Sequence, residues 1–223
     1  MSKENRLIGI SGKKGSGKDE VGKIIQFLTS EDDFKNYNDF KKNNTRPSFY
    51  AIKSFATKLK QHICLSTGCT MEQLEDGDFK ESYLGKEWVL DFEECKDMNA
   101  FDKFKYSHLL DEKMTYRDLL QMVGNSFRDI NPNIWVNSLF CDYNDSSSWI
   151  ITDVRFPNEF VSVRDRGGLN IRIERKTKSV DNDITETALD SYGKFDYVIK
   201  NNSSLPKLVE KVREILIKEE IIL

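Results

Sequence analysis

Residues 6–28 read RLIGISGKKGSGKDEVGKIIQFL, and this stretch decides the fold. Residues 6–11 form a short apolar run that predicts a buried strand. Val21, Ile24, Ile25 and Leu28 recur at the spacing of an amphipathic helix. Between them lies Gly12-Lys13-Lys14-Gly15-Ser16-Gly17-Lys18-Asp19, which fits G-x-x-x-x-G-K. Glycines let the backbone curl until successive N–H groups face inward at phosphate oxygens. The following helix adds its positive N-terminal end. Lys18 can reach the β- and γ-phosphates and offset charge as a phosphoryl group leaves. The bland alternative is a glycine-rich turn with solvent-facing lysines, and the flanking strand and helix argue against it. Gly12 through Asp19 are therefore expected to bind ATP, with Lys18 catalytic.

Asp19 stands where Ser or Thr usually ligates Mg²⁺. Its carboxylate can take that role directly or through a metal-bound water, with Glu20 pointing away. Two acidic groups beside a triphosphate would otherwise repel it, so Mg²⁺ or Lys18 must compensate.

A second acidic centre follows the apolar run Trp149-Ile150-Ile151-Thr152. Asp153, at the carboxyl end of a predicted buried strand, suits a Walker-B-like role in holding Mg²⁺. The alternative is a cap on the next helix. Arg155 can fork onto a phosphate, or pair with Glu159 or Asp153. Lys58, Lys60, Arg117 and Arg128 precede that strand. Each alone reads as a solvated charge; as a set they supply the cations an anionic acceptor needs. Trp135 is core, or it stacks on a base.

The rest of the chain alternates. Residues 31–47 are polar and read as a loop, 48–55 as a strand and 56–67 as a helix. Residues 76–113 are charged and aperiodic and read as an insert of loops and short elements. A helix is expected over 115–127, capped by Thr115 with Asp118 three residues on. Another is expected over 131–143, with Pro132 in its first turn. Strand 149–154 leads into a helix opened by Pro157 and ended at Gly167-Gly168. Residues 169–175 read as a strand with Arg172 and Arg175 on one face. The polar stretch 176–192 is a lid or a plain loop. Strand 195–201 and an amphipathic helix from Leu205 close the chain. Strands alternating with helices imply a mostly parallel sheet covered on both faces, with the strand-to-helix loops at one edge.

With 34 Lys and Arg against 37 Asp and Glu, the net charge of -3 lacks the basic excess expected of a duplex-DNA binder. That argues against nucleic acid as the main partner. Cys64, Cys69, Cys95 and Cys141 show no Cys-x-x-Cys spacing, which favours free thiols in a reducing cytoplasm. No apolar run is long enough to span a membrane, so a cytoplasmic protein is expected.

Together GISGKKGSGKD, RDLLQMVGNSFRDINPNIWV, ITDVRFPNE and DYVIKNNSSLPKL resemble the bacteriophage deoxynucleoside monophosphate kinases, from residue 6 to about residue 216. ITDVRFPNE is the most specific piece. The resemblance implies one P-loop kinase domain over 1–223, of the NMP-kinase-like P-loop NTPase fold, three-layered around a central five-stranded parallel sheet. It implies ATP and Mg²⁺, acceptors such as dGMP, dTMP or a modified dCMP, and work in the cytoplasm of a phage-infected host. A homodimer is among the assemblies left open. By position, Arg117, Gln121, Gly124, Trp135, Asp153, Arg155 and Glu159 match motif residues of the acceptor side. Two departures stand out. Glu20 replaces a common Thr, and Asp181-Asn182-Asp183-Ile184-Thr185-Glu186 lacks the histidine of the family's Asp-x-His-x-Ser-Glu pattern. Two other functions remain open: a kinase of another phosphorylated metabolite, as in the phosphomevalonate kinases with their Gly-Lys-Asp loop, and an ATP-binding or ATPase module without an acceptor.

Overall fold

A computed structural model describes residues 7–44, 48–88, 96–99, 114–144, 146, 148–175 and 187–223. The described chain forms two compact units. One comprises residues 1–55 and 136–223, the other Ala56–Trp135.

The first unit is built on five parallel strands: β1 (Leu7–Gly12), β2 (Ala51–Lys53), β3 (Trp149–Val154), β4 (Leu169–Glu174) and β5 (Tyr197–Lys200). Their order is β2-β3-β1-β4-β5, so the strand that ends in the glycine loop is central. Strands buried on both faces must be apolar almost throughout, and Leu7, Ile8, Ile10, Ile150, Ile151 and Ile171 are at most 2% exposed. On one face Ile8, Ile10, Ile150 and Ile171 pack with α1 (Lys18–Leu28) and α9 (Leu205–Lys218), through Val21, Ile24, Ile25, Leu208, Val212 and Leu216. On the other, Leu7, Trp149, Ile151 and Val154 meet Val136 and Leu139 of α7 (Ile134–Phe140) and Phe160 and Val163 of α8 (Pro157–Arg164). The sheet thus lies between two helical layers, the P-loop architecture expected.

Three local expectations need correction. The polar stretch 31–47 is not all loop, because α2 spans Tyr37–Asn43. The Asn36 side chain caps it by accepting from Asp39 N at 3.0 Å. Its two aromatic residues, Tyr37 and Phe40, are buried against Phe27, with Phe34 edge-on to Phe40. Two well-placed rings in a polar segment anchor a helix that average polarity conceals. Pro132 does not lie within a helix: Ile134 N bonds to Asn131 O, and α7 starts after that turn. Arg175 lies past the end of β4 and shares no strand face with Arg172; positions three apart point oppositely in a strand in any case.

The second unit holds α3 (Ala56–Thr67), α4 (Met71–Glu75), α5 (Gly77–Lys80) and α6 (Tyr116–Ile130), with a 3₁₀ turn at Lys86–Trp88. Ile63, Leu74, Leu84, Met114 and Leu119 form its core. Thr115 caps α6 reciprocally with Asp118, as expected. Asp118's carboxyl is held below its ordinary value by hydrogen bonds from the Thr115 hydroxyl and amide. Most of the expected insert, residues 89–95 and 100–113, lies outside the described residues, as do residues 176–186 of the expected lid with the Asp181–Glu186 segment. Cys64, Cys69 and Cys141 are free thiols. Among the described residues no helix is long and apolar enough to cross a membrane.

Candidate active site

The loop after β1 is curled by glycine. Gly12, Gly15 and Gly17 have φ of 156°, 77° and 99°, and the left-handed region is one that only glycine enters freely. Gly12 is also pressed: a Cβ there would lie 2.6 Å from both Ile173 O and Ser16 Oγ. Gly17 leads directly into α1, so the loop's amides and the helix's N-terminal end converge on one side of the fold.

Lys18 is 9% exposed, and its Nζ donates to Gly12 O and to Lys13 O, the latter at 3.0 Å. The ammonium is folded over the mouth of the loop on carbonyl oxygens that a phosphate oxygen can replace. Ser16 Oγ is buried and finds no partner among the described residues. A cationic amine, glycine-curled amides and an unpartnered buried hydroxyl are donors, and their natural complement is a polyanion. A triphosphate tail therefore fits the residues present.

Lys13 pairs with Asp190 at 2.7 Å. Asp190 also holds Arg172, whose Nη1 donates to Ser11 Oγ at 2.9 Å. Lys14, Gly15 and Asp19 are exposed. Asp19 lies in the first turn of α1, where it presents an anionic oxygen suited to a hard divalent cation. Glu20 pairs with Lys41 at 3.4 Å. Burial, and then the negative charge of Glu20, push the Tyr37 phenol well above its ordinary value.

The neighbouring strand contributes the second acidic centre. The register of β1 and β3 slips by one residue, from Gly9↔Ile151 to Ser11↔Val154. Such a bulge re-aims the side chains it contains, and Asp153 lies within it. Asp153 Oδ2 accepts from Ser54 Oγ at 2.6 Å and Oδ1 from Phe55 N at 2.8 Å, so the carboxylate braces the turn that leaves β2. Glu159 is 4% exposed. Its Oε2 accepts from Arg155 N at 2.7 Å and Phe156 N at 3.0 Å, closing the N-terminus of α8. The Arg155 backbone is thereby fixed at the carboxyl end of β3, next to the end of β1. The structure thus brings Gly12 through Asp19, Asp153, Arg155 and Glu159 to one edge of the sheet.

Within the second unit, Arg117, Gln121, Gly124 and Arg128 follow at steps of four, three and four, so they share one stripe of α6. Arg117 Nε pairs with Glu81, and Gln121 is exposed. Arg128 Nη1 reaches Gly124 O and Asn125 Oδ1, each at 3.3 Å. Gly124 is buried where a Cβ would lie 3.1 Å from Leu59 Cδ2, which brings the start of α3, with half-buried Lys58, close to the stripe. Lys60 pairs with Glu75. Trp135 is 5% exposed, stacks on Phe127 at 5.4 Å and donates from its indole to Gly124 O at 3.1 Å. Of its two readings, the packing is that of a core residue.

Ser54, Asp190 and Asn201 shape these arrangements without a signal of their own in the sequence. Ser54 is one small polar residue among many, and Asp190 follows an unpatterned stretch. Asn201 lies inside the quoted DYVIKNNSSLPKL, but the strand expected over 195–201 includes it, whereas β5 ends at Lys200.

A family model described as deoxynucleotide monophosphate kinase matches residues 82–212, more than half of the chain. No curated protein sequence matches. Among solved structures, dephospho-CoA kinase from Campylobacter jejuni aligns at 13% identity with a TM-score of 0.41, covering 96% of this chain and 97% of that one. With a glycine-curled loop at the edge of a five-stranded parallel sheet, this P-loop nucleoside monophosphate kinase belongs to the deoxynucleotide monophosphate kinase family.

Proposed function

We propose that the protein transfers the γ-phosphoryl group of ATP, with Mg²⁺, to a deoxynucleoside monophosphate, and so supplies precursors for DNA synthesis, as in an infected host cell. The observation that carries this reading is Lys18 Nζ resting on the carbonyls of Gly12 and Lys13 above glycine-curled amides.

The loop residues Gly12 to Asp19 hold the donor's phosphates. Lys18 moves from the carbonyls to the β- and γ-phosphates and offsets charge as the γ-group departs. When bound, Mg²⁺ neutralises phosphate charge and holds the donor's oxygens in place. Asp19 would hold it, and Asp153, whose two oxygens accept from Ser54 and Phe55, would support it through water. Arg155, held by Glu159, presents a fork suited to a phosphate oxygen. Lys58, Arg117 and Arg128 add the positive charge that an anionic acceptor needs, and Gln121 offers an amide for its base.

The test is a coupled assay of ADP release from ATP and Mg²⁺ with each deoxynucleoside and ribonucleoside monophosphate in turn. Turnover with one or more deoxynucleoside monophosphates is expected. Turnover with phosphomevalonate alone, or ATP hydrolysis indifferent to any added monophosphate, would overturn the proposal.

A further inference from the structure

We propose that Asn201 is a positioning residue for the nucleotide donor and that its side-chain amide sets the curve of the phosphate loop. This inference rests on the ATP-donor reading above.

Asn201 follows β5 directly and is 8% exposed. Its Nδ2 donates to Ser16 O at 2.8 Å, and its backbone N donates to Glu174 O at 2.7 Å. The amide therefore projects from a residue tied to β4, and it bonds a residue in the middle of the phosphate loop, 185 positions away in sequence. The approach is close. A Cβ on Gly17 would lie 2.6 Å from the same Nδ2, so Gly17 is glycine for contact as well as for its φ of 99°.

The peptide group links the bond to function. Ser16 C=O and Gly17 N–H belong to one planar trans unit and point in opposite directions. Fixing the carbonyl toward Asn201 turns the Gly17 N–H away from it. A loop curled by glycines has more backbone freedom than any other, and that freedom is lost when its amides converge on an anion. Among the described residues, the loop's own backbone bonds, Ser16 N to Lys13 O and Val21 N to Gly17 O, use neither Ser16 O nor Gly17 N. Asn201 supplies the missing restraint before the nucleotide arrives.

Titration calorimetry with Mg²⁺-ATP, and separately with dTMP and dGMP, tests this on wild type, Asn201→Asp and Asn201→Leu. Asp keeps the shape without the donor; Leu keeps the volume without either polar atom. Both are expected to weaken ATP binding about ten-fold, the usual consequence of losing one buried hydrogen bond. Monophosphate affinity should stay at the wild-type value, while melting temperature falls by about 2–4 °C because Ser16 O loses its donor. Unchanged ATP affinity in both variants, or equal losses for ATP and monophosphate, overturns the inference alone. A wild-type protein that binds no ATP overturns the donor reading with it. Should both variants fail to fold, the wild-type protein carries the test by NMR. An asparagine NH₂ pair with cross-relaxation to Ser16 and Gly17 is expected to be slow in exchange and to shift with Mg²⁺-ATP. Absence of such a pair overturns the proposal.

Discussion

Replacing Glu159 by Ala separates a structural carboxylate from one that touches the acceptor. Its Oε2 accepts two backbone N–H bonds, from Arg155 at 2.7 Å and Phe156 at 3.0 Å, and the side chain is 4% exposed. A hydrogen bond to a charged group contributes about 1.5–3 kcal/mol. Two such bonds share one oxygen, so we take about 3 kcal/mol for their joint loss in Glu159→Ala. For a protein of this size that lowers Tm by about 6–12 °C. Glu159→Gln keeps an oxygen acceptor of the same reach and loses only the charge, so its loss is about 1 kcal/mol and about 2–4 °C. Scanning calorimetry reads both. Steady-state kinetics, well below either transition, should show kcat reduced in the Ala variant, because the Arg155 backbone loses its anchor. The Gln variant should retain the acceptor KM. An Ala variant that melts with wild type while its acceptor KM rises would refute this reasoning, because the carboxylate would then face the substrate and not the helix end.

Other outcomes follow from the same geometry. Lys18→Ala should lower kcat by about 100-fold or more, the scale of losing one transition-state charge donor; near-normal turnover would remove Lys18 from the chemistry. Asp19→Ala should raise the Mg²⁺ concentration needed for half-maximal turnover, whereas Asp153→Asn, which can still accept from Phe55 N, should chiefly lower Tm; the reverse pattern in a Mg²⁺ titration would exchange the two roles. Tyr37 has a phenol pushed up from its ordinary value of 10.0 by burial and by Glu20. Its contribution to stability is therefore complete below about pH 10 and is lost as pH rises beyond it, because the unfolded chain ionises first. Urea unfolding of Tyr37→Phe should show a shallower decline above that pH than wild type.

The sheet and the glycine loop were legible because each is specified locally. An apolar run, glycines at fixed offsets and a helical period occupy residues 6–28 without help from elsewhere. The same holds for Trp149–Val154, and for the capped start of α6 at Thr115. What escaped depends on partners distant in sequence. Helix α2 is stabilised by Phe27 and Phe34 against Tyr37 and Phe40, and its polar residues mask that. Asp153 is recognisable in the sequence as an acidic residue near the end of an apolar strand. Its hydrogen bonds to Ser54 and Phe55 arise only because β2 and β3 are neighbours, which no local pattern states. Trp135 was undecidable between stacking and core because the deciding partners, Gly124 and Phe127, are set by how two helices meet.

The place of β1 in the sheet bears on how the chain acquires its shape. Among the described strands, the first in chain order pairs with two later ones, Leu7 with Trp149 and Ile8 with Leu169. Its hydrogen-bonding edges must wait for most of the polypeptide to emerge. Contacts of such long sequence separation slow folding, because closing the intervening loop costs entropy before any pairing repays it. The glycine loop after β1 is thus among the last parts of the sheet to be secured, and a chain lacking β3 and β4 leaves both edges of an apolar strand open to other chains.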